Sequence, residues 1–291
     1  MKINKRRLLF SSTILILIII FLVNIIIKNT GNKETILVQL SPQSSRQMMG
    51  YILKTYNGKL IIIDGGTVDD TQNLIHKINE NGGKVDYWFI THAHDDHAGA
   101  FNEIVNKTNI EIKNIYVSLN DYSWYEEYEP TRIDFTKKLI NTLNSEKIKN
   151  IVKETQINEK FNIENIKVEI LGIKNPEITE NPGNEQSMII RFDTGKATLL
   201  ILGDIGKEGS KKLISQQKDK LKSDIVQVSH HGQNGATKEL YQIIKPKICL
   251  WPTTKWLWDN DSGEGERNRT MENFRYKKMD GRTKCTGKLH S

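Results

Sequence analysis

The pattern of apolar and polar residues changes sharply near residue 28. Residues 8–27 (LLFSSTILILIIIFLVNIII) carry no charge, and a helix of this length spans about 30 Å, the thickness of the hydrocarbon layer of a bilayer. A basic segment, residues 1–7, precedes them and is expected to stay in the cytoplasm. The alternative is a cleaved signal peptide, but a small-residue cleavage site does not follow. The pattern therefore predicts an uncleaved transmembrane signal anchor at 8–27.

After a polar linker at 28–34, short apolar runs alternate with amphipathic segments. Strands are predicted at 36–40, 51–56, 60–63, 85–91, 110–117, 166–171, 187–192, 198–202, 225–229 and 248–251. Helices are predicted at about 70–81, 97–105, 135–143, 206–217 and 238–244. Residues 119–130 (LNDYSWYEEYEP) are predicted as an acidic, aromatic loop. Alternating strands and helices without an internal linker predict one α/β domain over 35–265.

Composition and charge exclude several classes of protein. Hydrophobic residues make up 37% of the chain, too many for a disordered protein. The two cysteines, Cys249 and Cys285, exclude a disulfide scaffold and a zinc site built from four cysteines. Of the net charge of +7, residues 1–33 contribute +6 and residues 261–291 contribute +3, which leaves −2 on the body of the chain. The body therefore has no basic surface that would require a nucleic-acid partner.

Histidine and aspartate residues cluster where a predicted strand runs into a helix. Residues 90–100 read ITHAHDDHAGA, and the pattern H-x-H-x-D-H is formed by His92, His94, Asp96 and His97. Because alternate residues of an extended segment point the same way, His92 and His94 can bind one cation. Asp96 and His97 lie at the turn into the helix and can reach a second cation nearby. Imidazole and carboxylate groups favour zinc, iron or manganese over calcium.

Two further strand ends carry candidate ligands. Asp204 follows the predicted strand 198–202, where it can bridge two cations or cap the next helix. His230 and His231 follow the strand 225–229. We favour His230 as the metal ligand, with His231 as the proton donor or as the alternative ligand.

Together these motifs resemble the metallo-β-lactamase superfamily. The motifs are IDGG at 63–66, THAHDDHAGA at 91–100, LGD at 202–204 and SHHG at 229–232. Within the superfamily, the chain is similar to the soluble domain of the ComEC family of competence proteins, whose pattern Asn184-x-x-Ser187 also matches. The resemblance covers about 35–264. It implies an αββα fold in which two packed, mixed β-sheets are flanked by helices and hold metals at one sheet edge.

The resemblance also implies two divalent metal ions, zinc or alternatively manganese or iron. The implied metal ligands are His92, His94, Asp96, His97, Asp204 and His230. His92 and His94 would bind the first metal, and Asp204 would bridge the two. Asp96 and His231 are the implied catalytic residues. Asp64 would hold a ligand histidine by a hydrogen bond.

One departure from the family pattern limits the function. Many members supply a third histidine to the first metal, but here the chain has no histidine between His97 and His230. The first site is therefore open, or an oxygen donor or water completes it, and this disfavours a true β-lactamase.

We expect a membrane-anchored hydrolase, outside the cytoplasm, that uses its metals to activate water. Phosphodiesters (nucleic acid, nucleotide or wall polymer) are the expected substrates. Lactam, lactone or ester hydrolysis is the alternative reaction, and a metal-containing binding protein is the alternative class. The sequence does not identify the substrate-binding residues or a protein partner.

Residues 266–291 do not continue the family pattern. They have few apolar positions and an excess of basic residues, which is typical of a disordered tail. The alternative hypothesis is a shifted reading frame. When Arg269–Ser291 is back-translated with A/T-rich codons and shifted by one base, apolar residues fall at helical spacing. The nucleotide sequence of the gene distinguishes the two interpretations.

Overall fold

Sixteen strands and eight α-helices make up the part of the chain that the computed structural model describes, residues 34–258, 276–279 and 282–285. The strands are β1 (Ile36–Gln39), β2 (Gly50–Lys54), β3 (Leu60–Asp64), β4 (Lys84–Val85), β5 (Tyr87–Phe89), β6 (Glu111–Ile112), β7 (Ile115–Val117), β8 (Val152–Glu154), β9 (Lys160–Ile163), β10 (Ile166–Gly172), β11 (Ile189–Asp193), β12 (Thr198–Ile201), β13 (Ile225–Gln227), β14 (Ile248–Leu250), β15 (Tyr276–Met279) and β16 (Arg282–Cys285). The α-helices are α1 (Thr71–Glu80), α2 (Asp95–Lys107), α3 (Tyr122–Tyr128), α4 (Ile133–Leu143), α5 (Pro182–Glu185), α6 (Lys207–Gln217), α7 (Lys238–Ile244) and α8 (Lys255–Trp258).

Two large mixed sheets contain most of these strands. The first has the order β1-β2-β3-β5-β7-β8, antiparallel from β1 to β3 and parallel from β3 to β8. The second has the order β15-β16-β14-β13-β12-β11-β10-β9, and its parallel strands are β12, β13 and β14. The parallel strands are joined through helices, as parallel pairing requires. In each sheet, the parallel strands are therefore the ones that helices connect along the chain.

Alternating side chains along the central strands produce four layers. On β3, Leu60 and Ile62 pack with the helices of the first half, whereas Ile61 and Ile63 pack between the two sheets. On β12, Leu199 and Ile201 also lie between the sheets, and their neighbours face α6 and α7. The layers are thus helix, sheet, sheet and helix. This part of the prediction, a mixed α/β fold with two sheets flanked by helices, is confirmed.

The segment 119–130 differs from its prediction, because residues 122–128 form helix α3 instead of a loop. Tyr125 is completely buried in the core cluster that also contains Leu139 of α4. The rings of Trp124 and Tyr128 lie 5.3 Å apart, one helical turn from each other. Only one residue of this helix is buried, so its sequence shows no clear apolar period.

The predicted features at the two ends of the chain lie largely outside the described residues. The predicted anchor at 8–27 lies there entirely. Within the described residues, no helix is long and apolar enough to cross a membrane. In the predicted tail, β15 and β16 form an antiparallel pair, and β16 pairs with β14. The open edge of β14 offers unpaired backbone groups, which explains why strands form where the side-chain pattern predicts none.

Asp224 connects the parallel strands of the second sheet. Its carboxylate accepts hydrogen bonds of 3.0 Å from the amide and the hydroxyl of Thr198, and it lies 2.7 Å from Nζ of Lys247. The Lys247 ammonium group and the Thr198 donors lower the pKa of Asp224 from its ordinary value of 3.8 to about 2. The charged carboxylate is therefore the form that the fold stabilises.

We predict that Asp224→Asn lowers the free energy of unfolding by about 1–2 kcal/mol near neutral pH, because a partly exposed, charge-assisted contact is weakened. Since the pKa is lower in the folded state, the difference from wild type is full above pH 4 and disappears as the pH falls toward 2. Urea unfolding measured across this pH range tests the prediction. Asp219→Asn on an exposed turn is the control, and a pH-independent difference would contradict it.

Candidate metal centre

The predicted site residues meet at the carboxyl ends of four strands. Strands β3 and β5 of the first sheet end just before the site, at Asp64 and at the segment leading to His92. Strands β12 and β13 of the second sheet lead to Asp204 and His231. Parallel strands open such a crevice at their carboxyl ends, where α/β proteins bind ligands. Neither sheet holds the whole set of residues alone.

Asp204 lies at the middle of this cluster and is 1% exposed. Its Oδ2 atom is 3.2 Å from Nε2 of His97 and 4.0 Å from Nε2 of His92. The rings of His92 and His97 lie with their centroids 4.1 Å apart. The three side chains form one group whose ligand atoms lie within 4.8 Å of one another, close enough to hold a metal ion.

His231 completes a second group with Asp96 and His97. Nε2 of His231 lies 3.2 Å from Oδ2 of Asp96 and 3.4 Å from Oδ2 of Asp204. Nδ1 of His231 donates a hydrogen bond of 2.7 Å to the carbonyl of Pro252, which leaves Nε2 for a ligand.

His230 lies apart from the acidic groups that surround His231. Nε2 of His230 is 3.3 Å from the side-chain amide of Asn184. Both histidines have left-handed backbone angles, with φ of 51° for His230 and 54° for His231. The structure thus places His231 among the acidic ligands and His230 outside them, the reverse of the arrangement that the sequence analysis favoured. The local sequence does not indicate which of the two histidines faces the carboxylates, because the backbone angles of the turn decide it.

Asp64 contacts Nδ1 of His97, which we call the outer nitrogen because Nε2 is the ring nitrogen next to Asp204. Its Oδ2 atom is 2.7 Å from Nδ1 of His97, and it also accepts a 2.8 Å hydrogen bond from the Thr91 hydroxyl. The amide of Thr91 donates to Oδ1 at 2.8 Å. The Thr91 hydroxyl lies 3.1 Å from Nδ1 of His92, so one carboxylate orients two histidines, one of them through a hydroxyl. This geometry corresponds to the supporting role predicted for Asp64.

His94 has a different partner, which the sequence analysis missed. Its Nε2 atom lies 2.7 Å from Oε1 of Glu129, and both side chains are nearly buried. Glu129 comes 35 positions later in the chain, directly after α3. It was one of several acidic residues in the predicted loop, and nothing in its local sequence distinguished it.

Several buried donor and acceptor atoms in the site have no hydrogen-bond partner among the described residues. These atoms are Nε2 of His92, His97 and His231, and Oδ1 of Asp96 and Asp204. Unpartnered buried polar atoms are uncommon, and they call for a ligand. Imidazole nitrogens and carboxylate oxygens at these separations suit zinc, manganese or iron. The residues therefore fit divalent metal ions.

The pKa values of the clustered side chains are shifted by burial and by their charged neighbours. Burial, together with the neighbouring His97 and His94, holds the pKa of His92 well below its ordinary value. For His231, burial lowers the pKa, but Asp204 and Asp96 outweigh it and raise the pKa to about 10. For Asp204, burial raises the pKa, but His97 and His231 outweigh it and hold the pKa well below its ordinary value. A bound cation would take the place of the protons on His97 and His231, because imidazole binds a metal through an unprotonated nitrogen.

We predict that Asp64→Asn weakens metal binding by about 10- to 100-fold, because the outer nitrogen of His97 loses its charged acceptor. Asparagine tolerates the left-handed backbone at this position (φ 54°), so the change acts through the side chain. Competition with a chromogenic zinc chelator measures the affinity. Asp69→Asn on the exposed turn nearby is the control, and wild-type affinity in a folded Asp64→Asn protein would refute the assigned role.

Comparisons with known proteins identify the family to which the chain belongs. The family model described as metallo-beta-lactamase superfamily matches residues 50–247. The chain is 24% identical over 210 residues to ComE operon protein 3 of Bacillus subtilis (strain 168), an alignment that covers 66% of this chain and 25% of that protein. It is 23% identical over 100 residues to uncharacterized protein YcaI of Escherichia coli (strain K12), covering 34% and 13%. The chain thus spans a quarter or less of the length of these relatives.

The solved structures to which the chain is similar include two bacterial proteins. A metallo-beta-lactamase from Staphylococcus aureus subsp. aureus COL is 20% identical with a TM-score of 0.42, over 66% of this chain and 53% of that one. The metallo-beta-lactamase fold protein YhfI from Bacillus subtilis is 11% identical with a TM-score of 0.45, over 74% and 84%.

Proposed function

The chain belongs to the metallo-β-lactamase superfamily of metal-dependent hydrolases, and we propose that it hydrolyses phosphodiester bonds. The observation that carries the proposal is a cluster around the buried Asp204. The Nε2 atoms of His92, His97 and His231 lie 3.2–4.0 Å from its Oδ2 atom and make no hydrogen bond among the described residues. The chain resembles the soluble domain of the ComEC family, which looks like a nuclease, and this resemblance favours phosphodiesters over lactams. The absence of a histidine between His97 and His230 points the same way, because the first metal site of a β-lactamase has three histidines.

The structure groups His92 with His97 and Asp204, and Asp96 with His97 and His231. Following the family resemblance, we assign His92 and His94 to the first metal and Asp96, His97 and His231 to the second. Asp204 would bridge the two, because its Oδ2 atom lies 3.2 Å from Nε2 of His97 and 3.4 Å from Nε2 of His231. When bound, divalent cations lower the pKa of water and withdraw charge from phosphoryl oxygens.

We further propose that His230 and His231 exchange the roles that the sequence suggested. His231 would be the ligand, because its Nδ1 is fixed by Pro252 and its Nε2 faces two carboxylates. His230 would transfer the proton. Burial lowers the pKa of His230, so the ring is neutral near neutral pH and would donate a proton only after it has accepted one.

The decisive experiment measures metal content and turnover on the same protein. The full chain is purified in mild detergent, loaded with zinc or manganese, and assayed with bis-p-nitrophenyl phosphate. We expect about two metals per chain with turnover, and a loss of more than about 100-fold in Asp204→Ala and in His94→Ala. His230→Gln should keep its metals and lose about 100- to 10,000-fold in turnover. Asp219→Ala is the surface control.

Three results would reject parts of this proposal. Full turnover in Asp204→Ala would show that the site is elsewhere. Faster cleavage of nitrocefin or a lactone than of the phosphodiester would identify a lactam or lactone hydrolase. Two bound metals without turnover on any of these substrates would indicate a binding protein.

We also propose that residues 8–27 anchor the chain in the cell membrane as a single span, with the hydrolase domain outside the cytoplasm. The charge-free run and its basic flank support this. An alkaline phosphatase reporter, which is active only outside the cytoplasm, is fused after residue 34. We expect activity in the membrane fraction, and none when residues 8–27 are deleted. A reporter that is inactive with the segment present would reject the proposed location.

A further inference from the structure

Among the described histidines of the H-x-H-x-D-H motif, His94 is the one whose Nε2 atom makes a hydrogen bond, and its partner is Glu129. The distance between His94 Nε2 and Glu129 Oε1 is 2.7 Å, and the side chains are 4% and 10% exposed. By contrast, Nε2 of His92 and of His97 has no hydrogen-bond partner among the described residues. The ring nitrogen that contacts a carboxylate outside the cluster is therefore Nε2 in His94 but Nδ1 in His97.

The other histidines show what the outer nitrogen needs. Nδ1 of His97 is held by Asp64 at 2.7 Å, and Nδ1 of His231 by the carbonyl of Pro252 at 2.7 Å. In each case the protein fixes one nitrogen and leaves the other for the site. A histidine that binds metal usually donates its second N–H to a carboxylate or carbonyl in this way. Glu129 supplies the same kind of partner to His94, but on the Nε2 side.

Helix α3 holds Glu129 in place. The amide of Glu129 donates a 2.8 Å hydrogen bond to the carbonyl of Tyr125, whose side chain is completely buried. The indole nitrogen of Trp124 donates to the carbonyl of Pro176 at 2.9 Å. The aromatic residues of 119–130 thus anchor the helix from both sides. The carboxylate at its end is fixed against His94.

Gly183 provides the space for this pair. A Cβ atom at Gly183 would lie 2.2 Å from Nε2 of His94 and 2.3 Å from both carboxylate oxygens of Glu129. Real side chains do not approach this closely, so any larger residue would push the pair apart. The backbone of Gly183 is not in the left-handed region, so the requirement is for space and not for conformation.

We propose that Glu129 is a positioning residue of the first metal site. Its carboxylate accepts the Nε2 proton of His94, which puts the free lone pair on Nδ1 and fixes the orientation of the ring. A pre-oriented His94 compensates for the histidine that the chain lacks between His97 and His230. The inference rests on the proposed metal-dependent function, but it is independent of the substrate. Direct binding of the metal by Glu129 is the alternative that the test separates.

The first test measures stepwise zinc affinity on the full chain by chelator competition. Glu129→Gln replaces the charged acceptor with a neutral amide, and Gly183→Ala keeps both side chains but separates them. We expect each to weaken one of the two zinc ions by about 10- to 100-fold and to leave the other unchanged. Glu126→Gln, an exposed residue on the same helix, is the matched control. Wild-type affinity for both ions in folded Glu129→Gln and Gly183→Ala would overturn the proposal.

The second test needs no folded variant of Glu129. Long-range ¹H–¹⁵N correlation spectra of the zinc-loaded wild type report which nitrogen of each histidine carries a proton, and His94→Gln assigns the signals. We expect His94 to keep its proton on Nε2 and to bind zinc through Nδ1. Zinc on Nε2 would overturn the proposal, because Glu129 would then compete with the metal or bind it directly.

Failure of this proposal and failure of the proposed function give different results. Metal effects as expected, without phosphodiester turnover, would reject the reaction and support the role of Glu129. Turnover that survives in Glu129→Gln with both zinc ions bound would do the reverse. A wild-type chain that binds no zinc would overturn both.

Discussion

The burial of the Asp204 carboxylate is the constraint on which the site depends. A charged group that is almost without solvent contact is stable only beside compensating charges, and here these are the imidazoles of His97 and His231. The backbone before it is fixed: Gly203 has a φ of 54°, and a Cβ there would meet the Ser187 side chain at 2.6 Å. The Ser187 hydroxyl in turn accepts a 2.9 Å hydrogen bond from the amide of Asp204. The position of the carboxylate is thus determined by the backbone and not by a flexible loop.

The packing of the two sheets brings the ligands together. The H-x-H-x-D-H motif and Asp64 belong to the first half of the fold, and Asp204 and His231 belong to the second. The core between the sheets fixes the position of one half against the other. One such contact is the edge-to-face packing of Phe89 and Phe192, whose ring centroids are 5.5 Å apart. A cavity in this core would therefore shift metal ligands as well as lower stability.

The sequence predicted those features that local pattern determines. Alternating apolar residues gave most strands of both sheets, and the spacing of His92, His94, Asp96 and His97 gave the centre of the site. The features that it missed depend on contacts between distant segments. Glu129 reaches His94 across 35 positions, and the one buried residue of helix α3, Tyr125, packs in a core cluster formed by distant segments. The order of His230 and His231 depends on backbone angles that residue type alone does not specify.

The turn at His230 and His231 places two adjacent imidazoles on one piece of left-handed backbone. Left-handed backbone costs a residue with a side chain roughly 1–2 kcal/mol, so two such residues in succession are kept only where the surrounding fold enforces them. Here the strain directs adjacent imidazoles to different neighbours, one toward the carboxylates and one toward Asn184. If the first imidazole relays protons and the second anchors a cation, neither can move without the other. Any motion of this turn would then alter cation affinity and proton transfer together. A substitution that changes the turn would therefore change both quantities at once.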